Sequence, residues 1–232
     1  MTAPWVVPAD CRRHLSQSLL FMRHGERDKI LDAREAWRVP LTPRGVTESR
    51  EMGRRDLAPL GPAHIFHSIV GRCRQTAEAL HEGLVIAGAK TVNHGPDKRL
   101  TAPFLPNPPV SYAYAETEGL DSGRFLEVWF ADQLPPSIAQ PAREAAEEQM
   151  AFLEKSHETH GGFQIHVSHD WNILLLAWKF LGLSPDQALW PNFWEGLWFL
   201  FQPGEMSIHY RNHSRTIPRN QSVAEPHPTT GP

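Results

Sequence analysis

Apolar residues fall in short runs along this chain, and most runs end at an abrupt polar turn followed by a stretch with helical spacing. Ser18-Leu-Leu-Phe-Met22 is the first run, followed at Arg23 by the polar loop RHGERD. Its length and continuity fit a strand buried on both faces, with a buried helix segment as the alternative. In LTPRGVTESREMGRRDL, Thr42 stands as N-cap and Pro43 at the first helical position, which predicts a helix to about Leu57. His64–Ser68 predicts a second strand, and RCRQTAEALHEGL from Arg72 a second helix closed by Gly83. Further on, 141–158 reads as a charged helix, Phe163–Ser168 as a strand, and Trp171–Leu183 as an apolar helix stopped by Gly182 and Pro185. Leu197–Gln202 and Met206–Arg211 read as a hairpin turned at Pro203-Gly204.

This β-α alternation predicts an α/β protein with a mainly parallel sheet, one domain over 1–215. Two stretches break the pattern. Residues 90–140 hold Pro103, Pro106, Pro108 and Pro109 with Tyr112, Tyr114 and Trp129, and read as an irregular insertion of the kind that forms lids and binding loops. Residues 216–232 lack apolar periodicity and read as a disordered tail. No internal repeat is visible.

Composition narrows the function classes. With 41% hydrophobic and 21% charged residues in 232, the chain is an ordinary globular one. A net charge of −3 offers no basic patch for nucleic acid or anionic membrane, which leaves a small molecule as the expected partner; oligomeric state has no signal. Cys11 and Cys73 are too few for a disulfide framework and lie in no zinc spacing, so they read as ordinary thiols in a reducing compartment. Leu19–Met22 is too short to span a bilayer and no export signal is visible, so the expected location is cytoplasmic. Thirteen histidines invite a metal, but His157 and His160 sit near a loop, and His166 and His169 face opposite sides of a strand. No metal or other cofactor is expected. The tryptophans at 171, 178, 190, 194 and 198 read as core, with Trp171 also placed to border a pocket because it follows Asp170.

Three polar pieces stand at the carboxyl ends of predicted strands, where open α/β sheets place ligands: RHGER at 23–27, GRCRQTAE at 71–78 and SHD at 168–170. Arg23, Arg27 and Arg72 each offer a planar fork of donors, enough to neutralise a phosphate dianion without metal. His24 lies between two of them. Neighbouring guanidinium charge lowers the pKa of an imidazole, keeping its nitrogen free to accept a phosphoryl group. Gly25 reads as room for backbone to approach that group. Each piece alone has a plainer reading: Asp170 as helix N-cap, His169 as a satisfied structural histidine, and the arginines as solvated charges.

In combination and in this order, the pieces resemble the histidine phosphatase superfamily, which includes the phosphoglycerate mutases. FMRHGER matches its signature loop, LTPRG the following helix start and RCRQTAEAL its second arginine motif. SHDWNILLLAWKFLGL, with PNFWEGLWFLF after it, is similar to the acid phosphatase and phytase branch. The resemblance implies a three-layer α/β/α sandwich and hydrolysis of a small phosphorylated metabolite. His24 would become phosphorylated, Arg23, Arg27, Arg72 and His169 would hold the phosphoryl oxygens, and Asp170 would be the proton donor, its carboxyl raised by the bound dianion. Glu26 is the reserve acid. The mutase-like branch takes its acid from a glutamate early in the insertion, where this chain has DKRLTAPFL, so the resemblance favours a phosphatase over a mutase. The acid phosphatases are larger, exported and disulfide-bearing, and have proline where this chain has Asp28-Lys29, so their substrate and pH optimum do not transfer.

Overall fold

A computed structural model describes residues 6–102, 104–188 and 190–219. Its first half runs α1 (Ala9–Arg13), β1 (Ser18–Arg23), α2 (Pro43–Met52), β2 (Ala63–His67), α3 (Gly71–Ile86), β3 (Thr91–Pro96), α4 (Pro108–Thr117) and α5 (Ser122–Phe130). The second half runs α6 (Ala142–His160), β4 (Phe163–Ser168), α7 (Asp170–Leu176), α8 (Pro185–Ala188), β5 (Gly196–Gln202), β6 (Glu205–Tyr210) and β7 (His213–Pro218).

The strands form one sheet in the order β3-β2-β4-β1-β5-β6-β7. β3, β2, β4 and β1 pair in parallel, and β5, β6 and β7 continue antiparallel from β1. The two central strands are buried along their whole length, as strands covered on both faces must be. The period of two along β1 sorts its side chains between two cores: Leu19 and Phe21 pack with α5, α6 and α7, while Leu20 and Met22 pack with α2 and α3. Helices on both faces of a mixed sheet complete the expected three-layer sandwich.

Local signals act where the chemistry says they should. Thr42 Oγ1 accepts from the Gly45 amide at 2.9 Å and caps α2, which continues in a wider helical turn to Leu57. Gly182 closes the helix begun at Asp170 in the left-handed conformation, φ 73°. Gly83, by contrast, does not close α3, which runs on to Ile86. A Cβ at Gly83 would overlap the Arg50 carbonyl, and one at Gly53 the Leu80 carbonyl, so these glycines let α2 and α3 touch backbone to backbone.

Two other expectations are corrected. The 90–140 segment is mostly regular, containing β3, α4 and α5; Pro108 and Pro109 occupy the first turn of α4, where a missing N–H is harmless. Pro103 lies outside the described residues. The tail does not begin at 216, because Thr216–Pro218 belong to β7, whose exposed side chains hide it from a hydrophobicity pattern while its backbone pairs with β6. Residues 220–232 lie outside the described residues.

Candidate active site

The ends of β1, β2 and β4, with the start of α3, bring His24, Arg23, Arg72, His169 and Asp170 to one place. Parallel pairing sets Arg23 opposite Ser168, so the residues that follow, His24 and His169, emerge side by side with ring centroids 5.6 Å apart. His24 Nδ1 donates to the Gly25 carbonyl at 2.8 Å, leaving Nε2 unprotonated, and Arg72 Nε donates to that nitrogen at 2.9 Å. Burial, then the charges of Arg72, His169 and Arg23, hold the His24 pKa well below its ordinary value. The ring stays neutral.

Each guanidinium nitrogen of Arg72 has a protein partner: besides His24, it gives Nη1 to the Ala36 carbonyl at 2.6 Å and Nη2 to His169 Nδ1 at 3.2 Å. His169 in turn donates from Nε2 to Ser68 Oγ at 2.9 Å, and Ser68 bonds Thr101 Oγ1 at 2.9 Å. Arg23 pairs with Asp170 at 2.9 Å, reaches the Pro191 carbonyl and lies over the Phe193 ring. Arg27 gives one donor to the Asp28 carbonyl and is close enough to Arg23, Arg72 and Asp170 for their charges to act on it. Arg23 Nε and Arg27 Nε are buried without hydrogen-bond partners. Three guanidinium cations face one carboxylate, so the site carries two uncompensated positive charges and matches a dianion.

Asp170 is tied on both oxygens, accepting from the Trp171 amide at 3.0 Å and from Trp190 Nε1 at 2.9 Å. Burial pushes this carboxyl up, but Arg23, Trp190 and His169 outweigh it and hold it below its ordinary value. Asp170 is therefore ionised near neutral pH. Glu26, the reserve acid, turns the other way, toward Thr42 Oγ1 at 3.1 Å and Arg44 at the start of α2. Asn172, from the SHDWN motif, does not point at His24. It ties Thr101 and Leu100 to Ser168 and so fixes the loop after β3.

Packing also requires Gly25: a Cβ there would meet Ser49 Oγ at 2.8 Å and Trp194 Nε1 at 3.0 Å. The 190–195 loop was unforeseen as part of the site. Trp190 binds Asp170, Phe193 lies 5.9 Å from the His24 ring, and Trp194, at φ 62°, fills the space beside Gly25. Glu195 anchors the loop through two bonds to Arg211, at 2.5 and 2.7 Å. Cys73 lies 3.6 Å from His169 Nε2, its thiol pushed up to about 12 by burial, which suits an inert packing role.

Residues 19–93 match the sequence model of the histidine phosphatase superfamily, branch 1. That segment contains β1, the His24 loop, α2 and the Arg72 helix, and the whole fold is shared with solved members of the phosphoglycerate mutase-like class. Over that segment the chain is similar to the histidine phosphatase superfamily, and over most of its length it shares the fold of phosphoglycerate mutase-like structures. Among similar solved structures are phosphoglycerate mutase from Bacillus anthracis, 18% identical with a TM-score of 0.57, covering 83% of this chain and 91% of that one. A mycobacterial glucosyl-3-phosphoglycerate phosphatase in complex with VO3 is 16% identical with a TM-score of 0.56, covering 88% and 99%. Phosphoserine phosphatase from Entamoeba histolytica in complex with 3-phosphoglyceric acid is 17% identical with a TM-score of 0.53, covering 88% and 98%. At these identities the likeness is one of fold. No curated protein sequence matches the chain. The matching model is branch 1, so likeness to the acid phosphatase and phytase branch rests on the SHDWN segment alone. No helix of the described residues is long and apolar enough to cross a membrane.

Proposed function

We propose that this protein is a phosphatase that hydrolyses a small phosphomonoester through a phosphohistidine on His24, without a metal. The observation that carries the reading is the bare Nε2 of a buried, neutral His24 inside a pocket with two uncompensated positive charges. A phosphate entering this pocket replaces Arg72 on His24 and takes the idle donors of Arg23 and Arg27. His24 Nε2 then attacks phosphorus as the bond to the leaving oxygen breaks.

The same exchange prepares the acid. When Arg23 turns its fork to the phosphate, Asp170 loses its main counter-charge and faces a dianion, so its pKa rises and it takes up a proton. That proton goes to the leaving alkoxide, and the resulting carboxylate accepts one from the water that attacks phosphohistidine. Ser68 can serve either tautomer of His169. Once Arg72 leaves Nδ1 and the ring gives its Nε2 proton to solvent while taking one from solvent at Nδ1, the Ser68 hydroxyl turns to donate to Nε2 and Nδ1 donates to a phosphoryl oxygen.

A mutase reading is less well supported, because in the DKRLTAPFL stretch the one acid, Asp97, is forked by Arg99. The test is direct. On brief incubation with a 32P-labelled phosphomonoester, the wild-type protein should release free phosphate and carry an acid-labile, base-stable label that His24→Ala lacks. Label in the His24→Ala variant would remove His24 as acceptor, and phosphate migration within the substrate without release would replace hydrolysis by a mutase reaction.

A further inference from the structure

Beside the arginine pocket lies a cleft of about 400 Å³ that the phosphate chemistry does not use. One wall is the segment Leu31–Arg34, another is α4 and the start of α5, and the floor is Trp171 stacked on Phe125 with centroids 5.2 Å apart. Three connections join it to the site. Trp171 follows Asp170 in α7, Tyr112 is within electrostatic reach of Arg72, and the turn after Arg34 supplies the Ala36 carbonyl that holds Arg72.

The lining is apolar and aromatic at its centre and acidic at its rim. Asp32, Glu116 and Asp121 line the cleft against a single cation, Arg34, whose Nε and Nη2 are already forked onto Asp32. Leu31, 91% exposed, stands at the mouth with no apolar cover of its own. A phosphorylated carboxylic acid would put its second anion against a net negative rim, where among the described residues of the lining Arg34 is the one cation and is already paired. An uncharged aromatic group would bury what remains exposed of Trp171, which Phe125 backs, and cover Leu31.

We propose that this cleft takes the organic part of the substrate, and that the preferred substrate class is a phosphomonoester of an apolar, aromatic-bearing alcohol without a carboxylate. The assignment rests on the phosphatase reading above.

The test compares phosphate release from benzyl phosphate, glycerol phosphate and 3-phosphoglycerate. All three are esters of alkyl alcohols, so leaving-group chemistry does not decide between them. Benzyl phosphate should exceed 3-phosphoglycerate in kcat/KM by about tenfold or more, chiefly through KM. Phe125→Ala should narrow that gap. Because Phe125 is buried, the exposed Glu116→Lys is the second variant, and it should raise the ratio of 3-phosphoglycerate to benzyl phosphate about fivefold or more. Equal or better use of 3-phosphoglycerate by the wild-type protein, or an unchanged ratio in Glu116→Lys, overturns the cleft assignment and leaves hydrolysis standing. Release from none of the three, in a protein whose sulfate binding is intact, overturns both.

Discussion

His166 sits at the middle of β4, fully buried, away from the site. Its Nε2 donates to Gln164 Oε1 at 2.9 Å and its Nδ1 has no partner, with Phe66 and Phe152 against the ring. Protonation would place a second N–H in that apolar space. Burial first, then the nearby His160, His157 and His94, lower its pKa to about 3, against an upward pull from Asp97. Because the folded pKa lies below the unfolded one, stability is complete above about 6.5 and drains as pH falls, the unfolded chain binding the proton first. At pH 5 the folded ring is still neutral, so this one residue removes about 2 kcal/mol relative to pH 7. His24 and His169, lowered by burial and by Arg72, act with the same sign. Urea unfolding at pH 7 and pH 5 measures these losses. His166→Gln, whatever its offset at pH 7, should lose about 2 kcal/mol less than wild type between the two. An equal loss in both proteins would show that the buried imidazole is not what titrates. On this reasoning stability should fall as pH drops below about 6.5, whatever the SHDWN segment resembles.

His24→Ala should abolish turnover and leave the melting temperature near that of wild type, checked by calorimetry beside the phosphate assay. Asp170→Asn should slow alkyl phosphates far more than activated aryl phosphates; equal slowing of both would remove Asp170 as the acid. Sulfate, whose charge is fixed near neutral pH, should bind with proton uptake in wild type and without it in Asp170→Asn, read by calorimetry in buffers of different ionisation enthalpy. Glu195→Gln should free the 190–195 loop from Arg211 and weaken sulfate binding while circular dichroism is unchanged. Gly83→Ala should cost about 1–3 kcal/mol or more, because an added methyl has only the Arg50 backbone to push against.

The centre of this site was readable because its residues sit at strand ends, where a change from apolar to polar marks both the end of an element and the start of a ligand loop. Arg23, His24, Arg72, His169 and Asp170 all stand at such switches. The 190–195 loop was hidden because Phe193 and Trp194 look like core, and only their contacts with Arg23, His24 and Ser49 show what they enclose. Proline count misled in 90–140, since proline in a first helical turn starts an element. β7 was missed because an edge strand forms through backbone pairing and needs little apolar surface of its own. Gly25 and Gly83 announced close contacts, but not with what: a tryptophan in one case and a neighbouring helix in the other.

The bonds of Arg72 bear on how the cycle ends. In the proposed hydrolysis, a departing phosphate does not strand Arg72, because His24, Ala36 and His169 take its bonds. Arg72 then adds little to the hold on inorganic phosphate, which falls to the idle donors of Arg23 and Arg27. On the proposed reading, a substrate that binds better than inorganic phosphate gains the difference through its organic half, and discrimination rests on what the phosphate is attached to.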